Sequence, residues 1–365
     1  MSRRKHALYC RLSLLLYCLI TLTASASNAP RIVAESVVDK VWAGHTVGFC
    51  LLTHPPYQFA AYYDADRKMT VARRTLRETQ WERVYLAEEL KWDSHNYVTM
   101  ALDENGCIHL SGNMHVKPLV YFRSGKPLDI NTFTRYAMTG EREDRCTYPS
   151  FLQGPGKGLV FTYRDGKSGS GDQIYNLYDV PSKTWRRLLD TPLTSGDGKM
   201  NAYFHGPVLG PDDRYHLCWV WRDHPGCESN HDLCYARSAD LVHWESSAGK
   251  PLPLPITLAR AEIVDPVPVR GGIINGNTKL GFDSLKRPII SYHKFDAAGN
   301  TQIFNARCEN GVWKTYQASD WDYRWDFSGG GAIPFEITLS GVSVAGKGQL
   351  KQTYHHVKKG SGGWT

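Results

Sequence analysis

The chain is predicted to be all-β and to fold as a single β-propeller domain, and three observations carry that prediction. Apolar residues seldom recur at helical spacing; they alternate over short runs, as on half-buried strands. Gly, Asp and Asn punctuate the runs, glycine alone supplying 33 residues, and aromatic residues make up 12% of the chain. The alternating runs also group into units of about four strands that recur roughly every 50 to 70 residues, the periodicity of propeller blades. A β-sandwich is the weaker alternative.

The units justify themselves in order along the chain. Residues 97–112, YVTMALDENGCIHLSG, read as two strands around the turn Asp103-Glu104-Asn105-Gly106. Residues 157–185, KGLVFTYRDGKSGSGDQIYNLYDVPSKTW, read as long strands around the glycine-rich loop 166–172, which is expected at the functional end. RYHLCWVWRD (214–223) with HDLCYARSADLVHW (231–244), and KLGFDSLKRPIISYHKFDAAGNTQIFNARCENGVWK (279–314), repeat that plan. In each, a strand ends in an aromatic-basic-Asp cluster: Tyr163-Arg164-Asp165, Trp221-Arg222-Asp223 or His293-Lys294-Phe295-Asp296. Each unit then closes on a tryptophan: Trp185, Trp244 or Trp313. SADLVHW (238–244) looks like a shortened Asp-box without its glycine and marks a turn. GSGGWT ends the chain where a closing strand is expected to follow, so the C-terminus is expected to be incomplete.

Residues 1–26 read as a secretory signal peptide: a basic start (Arg3, Arg4, Lys5, Arg11), a short apolar run from Leu12 to Leu22, and the small-residue site Ala24-Ser25-Ala26. The expectation is export to the periplasm or medium, with residues 27–365 as the propeller. The formal charge of +7 falls to +3 without the four leader cations. That is too mild, and too evenly spread, to argue for nucleic acid. No long apolar run remains to argue for a membrane, and a monomer is expected. Seven cysteines remain, an odd number that leaves at least one unpaired.

Three constellations could carry chemistry. If 97–112 is a hairpin, its outer ends meet, and His95, Asn96 and His115 approach one another as acid, base or anion ligand; two half-buried structural histidines are the bland alternative. Tyr148 opens one strand and Arg164 closes the next, so they are expected at one end of a blade. Arginine suits a carboxylate, and a tyrosine whose pKa such a cation depresses can take a proton. Here the bland alternative is an Arg164–Asp165 ion pair. Third, His224, Cys227, His231 and Cys234 have the spacing of a closed zinc knot, against which stands a Cys227–Cys234 disulfide. Tyr203, His205, Arg222, His231 and Tyr235 are expected to line the same mouth and bind substrate together with Asn96. No phosphate loop, nucleophile elbow or dinucleotide fingerprint is present.

Taken together, WDSHNYVTMALD, SGNMHVKPLVYFRS, YPSF, YRDGKSGSGDQIYNLYD, NHDLCYARSADLVHWE, GFDSLKRPIISYHKFDAAGNTQIFNAR and DWDYRWDFSGGG resemble the BNR-repeat polysaccharide lyases, which include ulvan lyases and related rhamnosyl-glucuronate lyases. The likeness runs from about residue 45 to the end of the chain. It implies a seven-bladed propeller and a carbon-oxygen lyase acting by β-elimination at a uronic acid, on the bond between L-rhamnose, sulfated or plain, and O4 of the uronate. It places the family's catalytic residues on His95, His115, Tyr148 and Arg164. It implies a structural zinc site in the 224–234 segment, with His224, Cys227 and Cys234 as ligands, and no cofactor for catalysis. By this resemblance Arg164 neutralises the carboxylate, assisted by Asn96 or His95, while Tyr148 and His115 are base and acid. On glucuronate Tyr148 could do both jobs; on iduronate His115 could be the base. A sialidase-like hydrolase and a non-catalytic carbohydrate-binding propeller are the rivals. A hydrolase would need a carboxylate pair, for which Asp165, Asp172 and Asp223 are available.

Overall fold

The computed structural model of the protein describes residues 32, 34–346 and 348–365. The leader expected over residues 1–26 lies outside the described residues. Contacts divide the chain after Val37, and residues 38–365 form the unit that contains every sheet.

The first sheet is an antiparallel meander of β1 (Cys50–His54), β2 (Tyr57–Tyr63), β3 (Lys68–Thr75) and β4 (Glu82–Glu89). The second contains β5 (Val98–Leu102), β6 (Ile108–Gly112), β8 (Tyr121–Ser124) and β9 (Phe133–Arg135). Between β6 and β8, β7 (His115–Lys117) leaves that sheet to join the third, with β10 (Cys146–Gln153), β11 (Leu159–Lys167), β12 (Ser170–Asp179) and β13 (Thr184–Arg187). The fourth holds β14 (Asn201–Leu209), β15 (Tyr215–Arg222), β16 (Asn230–Ser238), β17 (Trp244–Glu245) and β18 (Glu262–Asp265). The fifth is β19 (Lys279–Phe282), β20 (Pro288–Phe295), β21 (Thr301–Glu309) and β22 (Val312–Gln317). The sixth is β23 (Ile337–Leu339), β24 (Ser343–Gly346), β25 (Gln349–His356) and β26 (Gly360–Trp364). The GSGGW segment, read from sequence as a final turn, is thus itself a strand. Among the described residues the strands make six sheets, which does not confirm the seven blades expected; four short 3-10 turns are the only helical elements.

Successive sheets pack face to face: β1 lies against β5, β5 against β10, β12 against β14, β14 against β19 and β19 against β24. This explains a departure from simple alternation. The middle strand of a blade has a neighbouring sheet on both faces, so both faces must be apolar or satisfied. All eight residues of β15, YHLCWVWR, are buried. The outermost strands β4 and β22 show exposed positions along their length instead. The core therefore lies in layers between blades. One layer, spanning the first three sheets, holds Phe59, Met69, Leu110, Phe161 and Trp185. Others hold Leu217, Trp219 and Trp244, then Val220, Ile290 and Tyr292, then Ile303, Trp321 and Ile337.

The shortened Asp-box is a turn, as expected. Asp240 accepts backbone hydrogen bonds from Val242 and His243 at 2.8 and 2.7 Å, and the buried Trp244 indole donates to the Leu241 carbonyl at 3.1 Å. Partial burial would raise the Asp240 carboxyl, but the His243 ring and these backbone donors hold it at about 2.

The predicted zinc knot is not assembled. Cys234 points into the layer between the third and fourth sheets, while Cys227 joins the layer under the sixth. His231 is held by Asp223 and Asp232 at 3.1 and 2.8 Å, and His224 Nδ1 accepts from the Gly226 amide. The strand period separates the side chains: β16 turns its alternate residues into different layers. Cys227 and Cys234 are both free thiols, so the disulfide alternative is not formed either. Burial pushes both thiols up, which disfavours the thiolate a metal needs.

The interlayer packing makes a quantitative expectation. Trp219→Ala should cost about 3–5 kcal/mol and lower the urea midpoint. Trp219→Phe should cost clearly less, because the buried Trp219 Nε1 already lacks a hydrogen-bond partner.

Candidate active site

The 97–112 hairpin forms with the register Val98 opposite Gly112 and Leu102 opposite Ile108. Its outer ends meet, as the sequence implied, but His95 and His115 belong to different elements. His95 sits in the 3-10 turn Ser94–Asn96 that leads into β5. His115 opens β7, where it pairs with Thr147 of the third sheet. The chain turns sharply between sheets here: Asn113 and Val116 both take positive φ, 60° and 52°. For a β-branched valine that is a strained backbone. The Val116 amide donates to Thr147 Oγ1 at 2.9 Å, which anchors the turn.

Asp93 joins the two imidazoles, and sequence reasoning missed it. One carboxylate oxygen accepts from the His95 amide at 2.9 Å and lies 2.6 Å from His95 Nδ1; the other lies 2.5 Å from His115 Nδ1. The rings stack with centroids 4.0 Å apart and planes inclined by 22°. With both Nδ1 atoms on the carboxylate, both Nε2 atoms are left for other work. Partial burial would raise the Asp93 carboxyl, yet hydrogen bonds from His115 and from the His95 backbone and ring hold it at about 2. Burial lowers His95, with the His115 and Arg164 charges acting in the same direction against Asp93. The available signal was the Asp-x-His spacing, since an aspartate capping a turn reaches the backbone two residues on. Asp93, His95 and His115 also place three ligand atoms within 4.8 Å of one another, a nitrogen-rich set suited to zinc, nickel or copper rather than calcium.

Tyr148 lies where β10 is irregular, between Thr147 and Ser150, with a φ of 59°. A bulge re-aims a side chain, and here the ring comes 5.5 Å from His95 and 6.0 Å from Tyr203. The Arg164 guanidinium stands 4.9 Å from the Tyr148 ring centre. The expected depression of the Tyr148 pKa is not found. Burial raises it well above the ordinary phenol value, Tyr203 adds to that, and Arg164 and Arg222 offset only part. Burial therefore favours the protonated phenol at Tyr148.

Arg164 is 2% exposed. It donates to Thr147 Oγ1 at 3.2 Å and Tyr203 Oη at 3.4 Å, and its Nε has no partner. The Arg164–Asp165 ion pair does not form. Strand alternation sends Asp165 the other way, to Arg142 at 2.7 Å and Arg145 at 3.7 Å. Among the described residues Arg164 has no carboxylate partner.

Tyr203 bridges Arg164 and Ser168, whose Oγ is 2.7 Å from its hydroxyl. The Arg222 guanidinium lies 5.2 Å from the Tyr203 ring centre and donates to Asn275 at 3.3 Å. Tyr97, Tyr148, Arg164, Gln173, Tyr203 and Asn275 are among the walls of a cavity of about 290 Å³, and no carboxylate lines it among the described residues. Asn96 is buried with its Oδ1 unpartnered.

Of the six expected binders only Tyr203 is on this wall; Asn96 and Arg222 are not, and neither are His95 and His115, although the His95 ring stands 5.5 Å from that of the wall residue Tyr148. The other three lie elsewhere. Tyr235 is fully buried and bonds His216 at 2.6 Å in the layer between the fourth and fifth sheets. His205 lies beyond Tyr203 on β14, off the cavity wall; burial first, and then Lys279, push it down to about 4. His231 is held by its two aspartates and is not part of the wall. Tyr97, Gln173 and Asn275 were missed in turn, for want of any local signal.

Asp93→Asn tests this geometry. The carboxyl is held below its ordinary 3.8 at about 2, so its contribution is complete above 3.8 and is lost as pH falls towards 2. The variant should lack that acid-limb loss in thermal melts taken across this range. Nitrogen NMR should show His95 and His115 losing their fixed Nδ1–H tautomer.

The comparisons with known proteins bear on this fold and site. A family model described as "BNR repeat-containing family member" matches residues 57–321. The crystal structure of polysaccharide lyase Uly1 superposes with a TM-score of 0.63 at 14% identity, covering 93% of this chain and 85% of that one. A PL25 ulvan lyase bound to -[GlcA(1-4)Rha3S]- gives 0.58 at 13% identity, covering 92% and 95%. No curated protein matches by sequence. The two superpositions speak for a shared fold, and the match over residues 57–321 is one of sequence: the chain belongs to the BNR repeat-containing family, as a β-propeller.

Proposed function

We propose that the protein is an exported polysaccharide lyase that cleaves the bond between L-rhamnose and O4 of a uronic acid by β-elimination, leaving an unsaturated uronate. The observation that carries this reading is Arg164: a buried guanidinium facing a carboxylate-free cavity without an acidic partner. A buried charge left unpaired is costly, and a planar fork of donors matches a substrate carboxylate. Pairing with Arg164 withdraws charge from the carboxylate and makes the C5 proton acidic. An imidazole Nε2 of the His95–His115 pair takes that proton. The C5–H electrons become the C4=C5 double bond, the C4–O4 bond breaks, and O4 leaves with the proton of Tyr148. The raised pKa of Tyr148 favours this division over the tyrosine acting as base.

The comparison proteins support the reading by their fold. The likeness to a lyase complex with a glucuronate–rhamnose oligosaccharide suggests the substrate class. The basic, apolar and small-residue order of residues 1–26 supports export. A sialidase-like hydrolase is disfavoured because the aspartates it would use are engaged elsewhere: Asp165 and Asp172 by Arg142, and Asp223 by His231.

Ultraviolet absorbance of the unsaturated product, with ulvan, gum arabic and a rhamnosyl-glucuronate as substrates, tests the reaction. Tyr148→Phe should lower turnover about a hundred- to ten-thousandfold, and Arg164→Ala about a hundred- to thousandfold. Normal product formation by Tyr148→Phe would remove the tyrosine from the mechanism.

The pH profile follows from the two proton carriers. The base must be neutral, and burial lowers His95 from the ordinary imidazole value of 6.5. The acid must be protonated, and burial raises Tyr148 from 10.0. Activity should rise through a pKa below 6.5 and hold until above 10.0, as read in kcat/KM across that range. A profile that instead rises with deprotonation of a group above 10.0 would make Tyr148 the base.

A further inference from the structure

We propose that Trp92 is the floor of a second sugar subsite, one that stacks the apolar face of a neutral pyranose, with a 6-deoxyhexose such as rhamnose as the best fit. The choice of occupant rests on the lyase function proposed for the cavity.

Trp92 is 69% exposed, while Trp81, Trp185, Trp219, Trp221, Trp244, Trp321 and Trp325 are all buried. Leaving so large an apolar ring in water is unfavourable; a single exposed apolar side chain would need no explanation, but this ring belongs to an aromatic cluster. Trp42 meets it edge-to-face at 4.8 Å and 80°, and His45 at 5.7 Å and 72°. Trp42 and His45 also meet each other, at 4.8 Å and 73°. Trp42 is anchored in turn on the core shared by the first three sheets. The chain wraps it so closely that a Cβ on Gly44 would fall 2.2 Å from its ring. Both ring nitrogens of His45 are buried without a hydrogen-bond partner, so the three rings meet through aromatic contacts and not through a polar network.

The platform stands on the same end of the blades as the cavity. Residues 90–97 carry the chain from the rim strand β4 to the inner strand β5, and His95 lies on that crossing. Strands β1 and β5 begin at the same end, since the Val98 amide donates to the Gly48 carbonyl at 3.3 Å and Cys50 Sγ lies 3.9 Å from the Met100 carbonyl. Residues 42–48 and residue 92 therefore share that end. Trp92 directly precedes Asp93, the carboxylate that holds both catalytic imidazoles.

The chemistry divides cleanly between the two places. A carboxylate prefers the cationic cavity around Arg164. An indole offers no charge, but it matches the patch of axial C–H bonds on one face of a pyranose, and a methyl group at C6 enlarges that patch. A polymer alternating acidic and neutral sugars can occupy both at once, each site reinforcing the other through the linking chain.

Calorimetry with uncut rhamnose–uronate oligosaccharides on the Tyr148→Phe protein tests the subsite. Adding Trp92→Ala should weaken the longest oligosaccharide about tenfold, the value expected for uncovering one indole face. Trp92→Phe, which keeps a ring, should lose less. Equal affinities in the Tyr148→Phe and Tyr148→Phe/Trp92→Ala proteins would overturn the proposal. Iodide quenching of the wild-type protein is the second measurement and needs no altered fold: the oligosaccharide should shield a quenchable tryptophan that is absent from Trp92→Phe. Unshielded quenching at saturating oligosaccharide would also overturn it. The two readings fail separately. Trp92-dependent binding without any unsaturated product sinks the lyase reading and leaves the subsite standing; product formation indifferent to Trp92 does the reverse.

Discussion

A guanidinium buried without an acid is the constraint around which the site is arranged. Arg164 is fixed by β11, with Thr147 and Tyr203 taking two of its donors and Nε left over. Its neighbour in sequence, Asp165, could have quenched the charge, but the strand period turns that carboxylate to the opposite face, where Arg142 and Arg145 hold it. The blade thus keeps a cation and an anion adjacent in sequence and apart in space. The fold bears the cost of a charge without a counter-ion, which a bound carboxylate would relieve. The neighbouring rings soften the cost: Tyr148 and Tyr203 present their faces at 4.9 and 5.9 Å.

Around that charge the acid-base groups are poised by position and not by composition. Burial keeps the Tyr148 phenol protonated in spite of two arginines nearby. Asp93 ties an imidazole from the turn before β5 and one from β7 into one unit. The backbone is strained at the two places that aim these groups, Val116 and Tyr148, both at positive φ. Non-glycine residues hold such a conformation only where the surrounding structure imposes it. Here the packed sheets do so, and the strain falls beside the candidate chemistry.

The same sheets explain what could be read in advance and what could not. The hairpin over 97–112, the long strands of the third and fourth sheets and the turn at SADLVHW were legible because alternation, turn residues and a capping aspartate are local signals. His95, His115, Tyr148 and Arg164 were placed together by strand ends and by a family resemblance, and the structure does bring them together. Tyr235, His205, His231 and the cysteine-histidine knot were misplaced for one reason. A motif tells which residues are near in sequence, whereas a strand sends neighbours into different layers. Tyr235 and Cys234 are adjacent and enter separate cores.

The sequence by itself determined that the chain is built of antiparallel blades, because the period of its apolar residues and the positions of its turns are properties of short segments. Only the tertiary structure decided which face each functional side chain takes. It brought His115 to Asp93, left Arg164 without a counter-ion and set the Tyr148 phenol above its usual pKa. Those outcomes depend on burial and on partners from other sheets, and no window of local sequence contains either.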